Sequence, residues 1–118
     1  MDIRKIVHTD WATIAEWGNH KFDVVGVNLD YYLFGQENQI NFGIPKFIKI
    51  DVEGYDINIF DSIPMTLSYK PIVLMEWHND APSYFLEHIS NAGYGALDPM
   101  SLEPVTDKVW DVLCMPLI

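Results

Sequence analysis

The chain has 118 residues, 49% of them hydrophobic and 20% charged, and a formal net charge of −10. That profile describes one folded domain, and the acidic balance excludes a binder of nucleic acid or of anionic membranes, both of which need clustered Lys and Arg. The single cysteine, Cys114, excludes an internal disulfide. With no apolar leader after Met1 and no run of membrane-spanning length, the expected location is the cytoplasm.

Ile3 to His8 reads as a strand or a loose terminus. Thr9 or Asp10 caps a helix over Trp11 to Trp17, closed by Gly18-Asn19. Valine-rich Phe22 to Val27 reads as a strand, and Tyr31 to Phe34 begins a helix capped by Asn28 or Asp30. Gly35 to Gly43 is rich in Gln and Asn and reads as loop. The apolar run Phe47-Ile48-Lys49-Ile50, bounded by Pro45 and Gly54, reads as a buried strand. Tyr55 to Ile63 carries Ile59, Phe60 and Ile63 at helical spacing and is stopped by Pro64. Pro71 to Met75 is a second buried strand, ending in Glu76-Trp77-His78. Asn79 or Asp80 caps the next helix, with Pro82 in its first turn, Phe85, Leu86, Ile89 and Ala92 as its apolar stripe, and Gly93 as its stop. Tyr94 to Leu97 and Val109 to Leu117 are two further strands around a polar loop.

From Phe47 onward the order is strand, helix, strand, helix, strand, strand. Two buried strands separated by a helix imply a parallel pair with a right-handed crossover, and the last pair adds an antiparallel strand at the far side. The expected fold is therefore α/β with a mixed sheet.

The chemistry gathers at the ends of these strands. Asp51 and Glu53 are two apart, so on an extended strand both carboxylates share a face, and Gly54 permits a sharp turn or the close approach of a ligand. A parallel pair would bring them to Glu76 and His78 across one rim. Three carboxylates and an imidazole there suit a general base or a hard cation. The plainer alternatives are solvated strand-end acids, Glu76 paired with a lysine such as Lys49, and His78 as a surface or cap residue. Trp77 either stacks on a flat ligand or joins the core. Cys114 reads as a small core residue, and His8, His20 and His88 carry no functional reading.

The stretch Phe47-Ile48-Lys49-Ile50-Asp51-Val52-Glu53-Gly54 closely resembles the "IKIDVEG" signature of the FkbM-type methyltransferases. Leu29-Asp30 upstream, Lys70-Pro71 before a strand ending in Glu76, and a helix closing on Gly93-Tyr94 are similar to that family's neighbouring elements. The resemblance implies an S-adenosylmethionine-dependent O-methyltransferase acting on a hydroxyl of a sugar or small natural product. It implies a Rossmann-like methyltransferase sheet with the signature strand at its centre, here truncated, mixed and mostly parallel with an antiparallel C-terminal strand. Asp51, Glu53 and Glu76 are its candidate catalytic residues, Asp51 and Gly54 its cofactor contacts, and His78 and Trp77 its substrate contacts. No metal site is assigned.

The family's glycine-rich cofactor loop has no counterpart here. Residues 1–118 are thus expected to form a single methyltransferase-like domain with its signature region at 25–94 and without the cofactor-binding N-terminal half. The expected partners are a small hydroxyl acceptor and a second copy or another chain covering the exposed sheet edge. Two other readings stand beside the enzyme: a non-catalytic remnant that binds protein, and a hydrolase using the acid pair with a metal.

Overall fold

The computed structural model describes residues 26–35, 43–78 and 80–118. The chain divides into two compact units, Met1–Asn41 and Phe42–Ile118. The helix expected over Trp11 to Trp17, the segment Ile3 to His8, and most of Phe22 to Val27 and of the loop Gly35 to Gly43 lie outside the described residues. In the first unit, helix α1 (Leu29–Phe34) starts where the sequence places a cap: the Asn28 side chain accepts the Tyr31 N–H at 3.1 Å. This satisfies one of the donors that a helix start leaves unpaired.

The second unit runs β1 (Phe47–Ile50), α2 (Asp56–Asp61), α3 (Pro64–Ser68), β2 (Ile72–Glu76), α4 (Pro82–Asn91), β3 (Tyr94–Leu97) and β4 (Asp111–Pro116). Its sheet has the order β1-β2-β4-β3. Strands β1 and β2 are parallel, with Ile50 opposite Met75, while β4 is antiparallel to both β2 and β3. Three strands therefore share a direction and β4 opposes them. Counted by pairings, however, one is parallel and two are antiparallel, so "mostly parallel" holds for directions alone. The expected place of the last strand is corrected: β4 enters between β2 and β3 rather than at the far side. The α4 crossover carries β3 one place past β2, and the returning chain fills the gap, pairing on both sides. Among the described residues β1 stands at the sheet edge, whereas the family resemblance implies a central position.

The helix expected between Tyr55 and Ile63 is present as α2, closed at Ser62, and a further short helix that was not expected, α3, opens at Pro64. Proline lacks the N–H that a first helical residue would leave unpaired, and its fixed φ suits that position. The cap of α4 is Ala81, not Asn79 or Asp80, and makes no side-chain capping bond.

The core lies where alternate residues of β2 and β4 meet the helices. Val73, Met75, Val112 and Cys114 are buried from the sheet, Ile57, Phe60, Ile63 and Leu67 from α2, α3 and the link between them, and Phe85 and Ile89 from α4. Fully burying each such side chain contributes about 1.5–3 kcal/mol. Trp77 is buried too, stacked on Phe85 with ring centroids 4.5 Å apart and planes 6° apart. The Tyr94 hydroxyl donates to the Pro71 carbonyl at 2.6 Å, tying β3 to the start of β2. No helix among the described residues is long and apolar enough to cross a membrane.

Candidate functional site

The site is built at the C-terminal ends of β1 and β2. Strand β1 stops at Ile50, and the chain turns within four residues: the Tyr55 N–H donates to the Val52 carbonyl at 3.3 Å. The central residues, Glu53 and Gly54, have φ of 51° and 101°. Two consecutive left-handed residues are what a type I′ turn demands, and a glycine is the residue that adopts the second at little cost. A Cβ at Gly54 would meet nothing within 4 Å, so this glycine serves the backbone and leaves open space beside it. The turn corrects the expectation that Asp51 and Glu53 share one face of an extended strand, since Glu53 has already left it. Both carboxylates are exposed.

Asp56, the first residue of α2, fastens this turn to β2. Its carboxylate is 2% exposed. One oxygen accepts the Gly54 N–H at 3.3 Å, and the other accepts the Glu76 N–H at 3.2 Å. Burial raises its pKa above the usual carboxylate value, opposed by those two hydrogen bonds and by the nearby His78. Asp56 was not among the site residues expected from the sequence. The signal for it was an acid in the first turn of a helix, two residues after a turn glycine.

Beyond β2 the chain stays extended, so Glu76 and His78 fall on the same side. His78 Nε2 lies 2.8 Å from Glu76 Oε2 and 3.9 Å from Asp56 Oδ1. Glu76 is thus paired with this imidazole and not with Lys49. The side chains of Glu76 and His78 are 27% and 20% exposed, partly sheltered but reachable. Trp77 between them points the other way, into the core, and its indole N–H donates to the Asp80 carbonyl at 2.9 Å. With its ring buried against Phe85, it presents no free face for a flat ligand.

The far side of the rim comes from β4 and the residues before it. The Trp77 N–H donates to the Trp110 carbonyl at 3.0 Å, extending the ladder one step past the Glu76–Asp111 pair. Trp110 itself is 70% exposed, with its ring 6.1 Å from that of His78. The Lys108 ammonium donates to the His78 carbonyl. Trp110, Lys108 and Asp111 were missed because nothing local in the sequence says that β4 lies next to β2.

The structure thus gathers Asp56, Glu76, His78 and Trp110. Register sets Asp51 next to Glu76, because each follows one member of the Ile50–Met75 pair. Among the described residues no group of three or more His, Cys, Asp or Glu side chains is arranged to hold a metal ion. Chemically, the rim offers a carboxylate–imidazole pair able to accept a proton, and exposed carboxylates able to bind cationic or hydroxyl groups.

The model of the FkbM methyltransferase domain matches residues 7–95. The chain belongs to that family, a methyltransferase-like protein. The match begins well before residue 25, where the motif resemblance starts, and ends at nearly the same place. Neither a curated protein nor a solved structure gives a match.

Proposed function

We propose that this chain is an S-adenosylmethionine-dependent O-methyltransferase whose acceptor hydroxyl, on a sugar or small natural product, binds at the rim formed by Asp51, Glu76, His78 and Trp110. The observation that carries this reading is the Glu76–His78 pair at 2.8 Å, set at the end of β2, the strand that pairs with the signature strand. A hydroxyl oxygen is a poor nucleophile until its proton is taken, and a partly sheltered carboxylate–imidazole pair is suited to take it. Asp51 and Glu53 are the other candidate bases from the signature.

The residues at the rim suit the cofactor. S-adenosylmethionine carries a sulfonium, an ammonium and ribose hydroxyls, all of which carboxylates bind, and Asp51 and Glu53 are exposed beside the open space at Gly54. When bound, it supplies a methyl group on a positively charged sulfur. Asp51 and Gly54 would hold it, and Glu76 and His78 would orient the acceptor and receive its proton. Exposed Trp110 offers the acceptor an apolar face.

A second reading is favoured by the state of β1. It stands at the sheet edge among the described residues, and Phe47 is 54% exposed. An edge of this kind invites another strand, so a second copy or another chain would complete the sheet and, with it, the cofactor site. Without such completion, the chain acts as a protein-binding module of methyltransferase ancestry.

The test is calorimetric titration of the purified chain with S-adenosylhomocysteine, with the solution mass measured by light scattering. Saturable binding that is lost in a folded Asp51→Ala variant supports the enzyme, and Glu76→Gln is then expected to lower turnover while leaving that binding intact. A well-folded chain that does not bind, whether monomeric or assembled, overturns the enzyme reading and leaves the binding module.

A further inference from the structure

Helices α2, α3 and α4 border an open cavity of about 430 Å³ that the strand-end rim does not use. Phe60, Leu67 and Ala92 give it an apolar lining, and Lys70, His88 and Asn91 bring polar groups to it. Its volume falls in the range of small-molecule sites, and the mixture of apolar wall and few polar groups is the usual one. We propose that this cavity binds a small organic anion, a carboxylate or phosphate carried on a flat apolar body, held by the Lys70 ammonium.

The backbone at Lys70 is the first support. Lys70 follows Tyr69, the C-cap of α3, and has φ 63°. Its N–H donates to the Leu67 carbonyl at 2.9 Å, an ordinary closure of a helix end. Glycine is the usual residue at this left-handed position because it alone escapes the steric cost. A lysine there keeps strain that glycine would remove, and what it adds is its side chain. Such strain at a cavity points toward function.

The second support is where that side chain lies. Its ammonium sits against Gly93, the residue that ends α4, where a Cβ would come within 2.9 Å of Nζ. The ammonium lies 5.8 Å from the centroid of the Tyr94 ring, within reach of a cation–π attraction. The third support is His88, whose Nδ1 is 2.5 Å from Asp61 Oδ2. This contact orients the ring and commits the cavity's carboxylate to the imidazole, so that it does not face the anion.

The experiment is an NMR titration of the whole ¹⁵N-labelled chain with phenyl phosphate, using benzyl alcohol as the uncharged counterpart. Saturable shifts centred on Lys70, His88 and Asn91 are expected with phenyl phosphate and not with benzyl alcohol. Lys70→Gly is expected to fold with a raised melting temperature, because the backbone strain is gone, yet to bind phenyl phosphate at least tenfold more weakly. Absence of a saturable shift at these residues overturns the proposal. So does equal response to benzyl alcohol, or unchanged affinity in Lys70→Gly.

Discussion

Asp56 is the residue whose removal tests the construction of the rim most directly. Asp56→Ala strips the acceptors from two backbone donors, the Gly54 and Glu76 N–H groups, at 3.3 and 3.2 Å. Leaving a buried donor unsatisfied costs about 1–3 kcal/mol, and bonds this long belong at the low end of that range. The variant also removes a carboxylate that is costly to bury, which offsets part of the loss. The expected net destabilisation is about 1–2 kcal/mol, or about 5–10 °C in melting temperature for a unit of this size. Asp56→Asn keeps one acceptor oxygen and should lose about half as much. Urea unfolding followed by tryptophan fluorescence measures both. The pH dependence supplies an independent check. The folded pKa of Asp56 lies above the ordinary value of 3.8, so the native state holds this proton longer than the unfolded chain does. Its contribution is fully present below 3.8 and is lost as pH rises through the folded value. The wild type should therefore decline in that window relative to Asp56→Asn, which has no such titration. A loss in Asp56→Ala below about 0.5 kcal/mol, the low end of a typical hydrogen-bond contribution, would refute the account of Asp56 as the fastening between turn and strand. A rise of the wild type over the variant with pH would instead refute the upward shift of the Asp56 pKa and show the hydrogen bonds outweighing burial.

Other outcomes follow from single features of the fold. Tyr94→Phe leaves the Pro71 carbonyl without its donor and should cost about 1–2 kcal/mol in chemical denaturation. Burial, and secondarily Cys114, push the Tyr94 hydroxyl up to about 12, so wild-type stability should fall as pH rises from 10 toward 12, and the Phe variant should lack that limb. Burial pushes the Cys114 thiol up to about 12 as well, so at pH 8 Ellman's reagent should label it only after denaturant unfolds the chain. Trp110 is 70% exposed, so Trp110→Ala should change stability by less than about 0.5 kcal/mol. Its effect should instead be a raised KM for the acceptor, and an unfolding midpoint that moves several degrees would show that the indole belongs to the core.

Much of this protein was legible locally. Phe47 to Ile50 and Ile72 to Glu76 form strands because short β-favouring runs between Pro, Gly and polar residues have few alternatives, and they pair in parallel because a helix must cross between them. Asn28 caps its helix, and Gly93 ends α4 at φ 83°, because the side chain and the missing Cβ act within one turn. The family, too, could be recognised in the eight residues from Phe47 to Gly54. What stayed hidden depends on contacts between residues far apart in the chain. Glu53 leaves the strand because Gly54 and Asp56 fold the turn back onto the Glu76 N–H, twenty residues further along. Trp77 is core rather than platform, and Trp110 is exposed beside His78, because β4 enters next to β2. A sequence reports the propensity of each segment; which strand fills the gap in a sheet is settled by the area and hydrogen bonds gained when all the segments pack together, and only the tertiary structure records that result.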